Sequence, residues 1–158
     1  MAAMDNHVPH RWRLALACGL AIALIATDAA AIFIVNEPWV RVSPNGHSAE
    51  AYMRLRSTEG ATLVGVRSVA SADIDIRPPG TTRSSVREIK LPGGETVVLA
   101  PGAHRFVLAN LNRALKLGDR VALVLTIEAL DGSRSEIPLS AEVRRRSPTD
   151  DHRPGHGH

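Results

Sequence analysis

The side chains able to bind a soft or borderline metal, or to move a proton near neutral pH, are few, and most of them are histidines. His104 follows a Pro101-Gly102 turn and opens the run Arg105 to Ala109. An imidazole there reads as a metal ligand or partner contact, or else as an exposed or hydrogen-bonded histidine with no metal role. His152, His156 and His158 fall within seven residues of the stretch DHRPGHGH, spaced by Gly155 and Gly157. Imidazoles so placed suit Cu(II), Ni(II) or Zn(II) with low selectivity; the plain alternative is a polar terminus. His47 lies in a Pro-Asn-Gly loop and reads as a surface residue. Met53 alternates with Ala51 and Leu55, a spacing that core packing explains without a metal. The one cysteine, Cys18, sits in the apolar opening of the chain. The remainder therefore holds no thiolate site, disulfide or cysteine nucleophile.

Nucleophilic catalysis finds no support. Ser84 or Ser85 with His104 and Asp75 would make a hydrolytic triad on paper, yet no G-x-S-x-G elbow places them. Gly93-Gly94 lies between strands and opens no helix, so it forms no phosphate cradle. The pattern predicts no enzyme.

The elements that must position these residues are short strands. Ile32 to Val35 and Trp39 to Val42 flank Glu37-Pro38, which predicts a first strand broken or bulged at the proline. Ala51, Met53 and Leu55 alternate with Tyr52, Arg54 and Arg56, as in a half-buried strand. Thr62 to Val69 is a further apolar run, Ile74 and Ile76 follow at period two, and Pro78-Pro79-Gly80 ends that strand. Ser85 to Leu91, Thr96 to Leu99 and Arg105 to Ala109 each read as strands. Val121, Leu123, Leu125 and Ile127 mark one face of another, and Ile137, Leu139, Ala141 and Val143 mark the last. A 3.6-residue period appears only in the opening segment and as a turn at Leu111 to Leu117. Strands at this spacing predict a β-sandwich or barrel.

The 158 residues accommodate one domain with terminal extras. Arg11 and Arg13 precede an apolar run from Leu14 to Ala26, and Ala29-Ala30-Ala31 supplies an A-x-A cleavage site. Residues 1–31 thus read as a signal peptide cleaved after Ala31, or as an uncleaved anchor that would be the only membrane contact. Residues 32–143 form the predicted domain. Residues 144–158 are polar and read as a disordered, histidine-containing tail opened by Arg144-Arg145-Arg146. The formal charge is +3 and aromatics make up 3% of the chain. Stacking platforms on a basic face are missing, which excludes nucleic acid as a partner.

Read in order, these segments resemble the PCu(A)C periplasmic copper chaperones from about Phe33 to Val143. Glu95 to Ile127 carries most of the likeness: V-x-L-x-P-G-x-H, then Leu111, Gly118-Asp119 and the Leu123/Leu125 strand. Pro38-Trp39-Val40-Arg41, Ala51-Tyr52-Met53, Leu63-Val64-Gly65-Val66 and Leu91-Pro92-Gly93-Gly94 continue it. The resemblance implies an all-β, cupredoxin-like, Greek-key sandwich. It also implies a copper ligand at His104 and three more at positions occupied here by Arg77, the Ser84-Ser85-Val86 segment and Phe106. Arg77 has no lone pair to give, and Ser, Val and Phe lack the soft sulfur that selects Cu(I).

The function implied is an exported copper-chaperone-like protein of the periplasm, carrying copper without turnover to a membrane or periplasmic acceptor for oxidase assembly or homeostasis. The metal-binding candidates are His104 and the tail histidines His152, His156 and His158. The alternative is a relative that has lost its ligands and keeps the sandwich as an interaction module.

Overall fold

A computed structural model describes residues 31–80 and 83–148. The predicted signal peptide up to residue 30, and the tail histidines His152, His156 and His158, lie outside the described residues. Among the described residues nine strands run in chain order: β1 (Phe33–Val42), β2 (Ala49–Ser57), β3 (Ala61–Ser68), β4 (Asp73–Arg77), β5 (Ile89–Leu91), β6 (Thr96–Leu99), β7 (Arg105–Ala109), β8 (Arg120–Ala129) and β9 (Arg134–Val143). They hydrogen-bond in the order β4-β7-β2-β1-β9-β8-β3-β5, with β6 pairing β2 beyond the end of β7. No helix occurs among the described residues. The fold is the all-β, cupredoxin-like sandwich expected, made by one sheet curling so that both halves face the same core.

Period-two alternation builds that core. Ala49, Ala51, Met53 and Leu55 of β2, Val121, Leu123, Leu125 and Ile127 of β8, and Phe106 and Leu108 of β7 are all buried in one cluster. Met53 is 1% exposed, which confirms it as packing. Ile137 and Leu139 share the inward face of β9 but are only half-buried.

The first strand bulges where the proline predicts. Asn36 pairs with Arg54 and Trp39 with Tyr52, so one extra residue separates the two rungs on β1. Glu37 absorbs the irregularity at φ 51°, and Pro38 has no N–H for the ladder. The bulge sets Trp39 on the same outer face as Tyr52. Their ring centroids lie 4.6 Å apart, and Arg41 stands 5.4 Å over the Tyr52 ring. Tyr52 is consequently fully buried, although simple alternation assigns it to the solvent side.

Two expectations differ from what is found. The predicted strand Ser85 to Leu91 is strand only from Ile89 to Leu91, while Val86 makes a single bridge to Ile76. Pairing to β3 stops at Leu63 with Ile89, so the residues before Ile89 leave that ladder. The suggested helical turn at Leu111 to Leu117 is irregular chain, held by Asp119. Its carboxylate accepts the Lys116 amide at 3.0 Å and the Arg113 guanidinium at 2.9 Å.

Phe106 is a fully buried aromatic at the centre of this packing. Phe106→Ala is expected to cost about 3–5 kcal/mol in urea unfolding, with the denaturant slope unchanged. A loss under about 1 kcal/mol would mean that the ring is not closely packed.

Candidate functional site

The positions where the resemblance places ligands converge at one end of β4 and β7. Arg77 pairs with Arg105 and Ile76 with Phe106 in antiparallel register. Val86 bridges to Ile76 from the other side. His104 immediately precedes Arg105, just outside β7. The positions that the resemblance assigns to ligands thus lie together, while the side chains on them are not a ligand set.

The turn that presents His104 is built from its own sequence. Ala103 donates its amide to Ala100 O at 2.9 Å across Pro101-Gly102. Proline at the first central position and Gly102 at φ 84° make this a type II turn. Ala100 then donates to His104 O at 3.0 Å, locking the residue after the turn. The His104 side chain is half-buried, and its imidazole makes no hydrogen bond or ion pair to a described residue.

The remaining positions are committed to other work. Phe106 points into the core and is fully buried. Val86 packs against the same cluster. Arg77 pairs with Asp75 at 2.6 Å, its side chain 17% exposed. Among the described residues no group of three or more His, Cys, Asp or Glu could hold a metal ion. One imidazole next to a guanidinium and two apolar side chains offers copper a single donor, whereas Cu(I) and Cu(II) sites need several.

Next to His104, on the outer face of the sheet, lies a polar cluster that sequence reasoning missed. Glu50 is its hub. Its carboxylate accepts from Arg41 at 2.9 Å, from Arg105 at 3.0 Å and from the Tyr52 hydroxyl. Arg105 is nearly buried and also donates to Pro78 O and Ala103 O, each at 3.4 Å. One guanidinium thereby ties together the end of β4, the turn before His104 and the start of β2. The signal was available: Arg41, Glu50, Tyr52 and Arg105 occupy outward positions of three strands, but only the pairing register brings them together.

The cluster sets its own protonation. Burial opposes ionisation of Glu50, but hydrogen bonds from Tyr52, Arg41 and Arg105 outweigh it and hold the carboxyl below its ordinary value. Burial, and then the hydrogen bond to Glu50, push the Tyr52 phenol far above its usual range, so it stays a donor. A carboxyl with a depressed folded pKa stabilises the protein above its unfolded pKa, and this is lost as pH falls through the folded value. Glu50→Gln is therefore expected to cost about 1–3 kcal/mol at pH 7. The gap from the parent protein should narrow as pH falls below about 4. Chemical denaturation from pH 3 to 7 measures this, and a gap constant across the range contradicts the hub role.

Comparison with known proteins places this geometry. Residues 34–142 match the LpqE-like family, described as "Putative lipoprotein LpqE-like". A protein of Leifsonia xyli subsp. xyli, "Putative lipoprotein Lxx21020", is 27% identical over an alignment of 113 residues that covers 66% of this chain and 66% of that protein. Among solved structures, the apo PCuAC domain from PmoF1 superposes with a TM-score of 0.62 at 21% identity, covering 71% of this chain and 92% of that one. The solution structure of CuI-DR1885 from Deinococcus radiodurans gives 0.57 at 22% identity, covering 75% and 83%. With the family match spanning most of β1 to β9, the chain belongs to the LpqE-like family and has the fold of the PCuAC domains.

Proposed function

We propose that the protein is an exported copper-handling accessory protein, with copper as cargo passed to an acceptor in the periplasm or membrane and no catalytic turnover. The observation that carries this reading is the retained site scaffold. The ends of β4 and β7 and the Val86 segment meet as in a PCuAC-type fold, and His104 stands beside them on a fixed turn. Relatives in fold include a domain solved with Cu(I), and a relative in sequence is named a lipoprotein. Residues 1–31 serve as the export signal, 32–143 as the chaperone-like domain and 144–158 as a histidine-bearing tail. The donors are His104 and the imidazoles of His152, His156 and His158, in place of a sulfur-rich set.

A second reading has its own support. Arg77 ion-paired with Asp75 and Phe106 sealed in the core are what a domain that has lost metal binding would show. In that case the sandwich is an interaction module.

Titration of the purified full chain, and of a chain ending at Pro148, with Cu(I) and Cu(II) against a competing chelator separates the two. The copper reading expects the full chain to bind with a Kd below about 1 μM. Failure of both forms to bind at that level leaves the interaction module standing. Tight binding that survives truncation would locate the donors within the domain.

A further inference from the structure

We propose that a cleft at the C-terminal ends of β1 and β9 docks an acidic peptide segment of a partner protein, with arginines gripping its carboxylates and Leu117 covering an apolar side chain between them. The inference goes beyond the copper reading and does not depend on it.

The sequence reads Arg144-Arg145-Arg146 as the opening of a polar tail. The structure places these residues around a cleft. The Arg144 amide donates to Val40 O at 2.8 Å, so the chain stays on β1 beyond the last strand residue. From the other side, the Gly118 amide donates to Val143 O and the Val143 amide to Asp119 O, each at 2.9 Å. The chain before β8 is thereby tied to the end of β9. Between these ties lie two cavities of about 580 and 350 Å³. They share Leu117, Val143, Arg144 and Arg145, which makes them lobes of one cleft.

The cleft is basic at its rim. Arg146 lines the first lobe and Arg41 the second. Glu50 holds Arg41 at 2.9 Å, and Glu142 holds Arg144 at 3.2 Å. Arg145 and Arg146 are exposed and pair with no acid among the described residues. The floor is apolar: Val143 is buried, and Val42 and Leu115 are half-buried. Leu117, on the rim, is 56% exposed.

This combination selects among acidic ligands. Guanidiniums take carboxylates through paired N–H donors. A lone inorganic anion would use the guanidiniums and leave Leu117 in water. A bilayer presents its charge as a plane, which a recess meets only at its rim. A peptide strand answers both features: its carboxylates meet Arg145 and Arg146, and a leucine or similar side chain enters the apolar lobe beside Leu117.

The test follows the fluorescence anisotropy of a labelled octapeptide, four glutamates around two leucines with a glycine at each end, added to the purified full chain. A Kd on the order of 10–100 μM at low salt is expected, weakening as salt screens the arginines. Arg145→Glu with Arg146→Glu should weaken binding about tenfold or more. Arg56→Glu with Arg87→Glu alters the net charge equally away from the cleft and should change binding less than about twofold. Leu117→Ser should weaken it about threefold or more, as should replacing both peptide leucines with serines. All these positions in the protein are exposed, so urea unfolding should match the parent and exclude misfolding as the cause. Equal weakening by the two arginine pairs, or a serine peptide that binds as well as the leucine peptide, would reduce the cleft to general charge attraction and overturn the proposal. Displacement of the peptide by an equal concentration of inorganic phosphate would overturn it too. So would binding of phosphatidylglycerol vesicles through Arg145 and Arg146 with no binding of the peptide.

Discussion

Two registered pairs hold the halves of the sheet together: Trp39 with Glu142 and Val40 with Val143, in parallel between β1 and β9. Every other strand-to-strand pairing is antiparallel and lies within one half or the other. This seam lets both halves present their alternating apolar faces to one core. It is reinforced where it is short. The Arg144 amide donates to Val40 O at 2.8 Å, carrying the pairing one residue past β9. Parallel pairing is slightly weaker per residue than antiparallel pairing, so the seam depends on the core it closes. The same seam fixes where the chain leaves the domain, and so where the tail begins.

Within that frame, one face of β7 serves the core and the other the polar cluster. Phe106 and Leu108 point inward, while Arg105 turns outward to Glu50. A methionine at position 106 would give a metal a thioether; phenylalanine gives the core a ring. The exchange favours stability over ligation at that position. Arg105 compensates on the opposite face by pinning the turn before His104. The fold therefore holds His104 in position, while the neighbouring positions Arg77, Val86 and Phe106 supply no donors.

Much of this was legible in the sequence. The alternation of Ala51, Met53 and Leu55, and of Val121 through Ile127, marked the core faces because burial is the cause of that pattern. Pro38 marked the bulge because it lacks an N–H, and Pro101-Gly102 marked the turn because Gly102 takes a positive φ. The cluster around Glu50 was not legible. Its members are far apart in sequence, and their meeting depends on a register that one slipped residue would reverse. Tyr52 shows the same limit: a bulge two strand positions away moved Trp39 over it and converted an outward residue into a buried one. Ser85 to Leu91 failed as a strand because composition permits pairing there but β3 pairs only its last three residues.

Electrostatics bears on whether a cation can approach His104 at all. An isolated guanidinium about 6 Å from a divalent ion would oppose it by about 5 kcal/mol at an effective dielectric of about 20. Arg77 and Arg105 are not isolated. Asp75 holds the first at 2.6 Å and Glu50 the second at 3.0 Å, so each presents a dipole whose field falls faster than that of a charge. Glu50 is shared with Arg41, which leaves the outer face modestly positive instead of strongly so. The penalty at His104 is accordingly a fraction of the isolated figure. It is also graded: Asp75 is about half exposed, so its carboxylate can reorient toward an incoming cation. A domain designed to repel metal would have left its guanidiniums unpaired. This one pairs them, a charge arrangement that tolerates a cation beside His104.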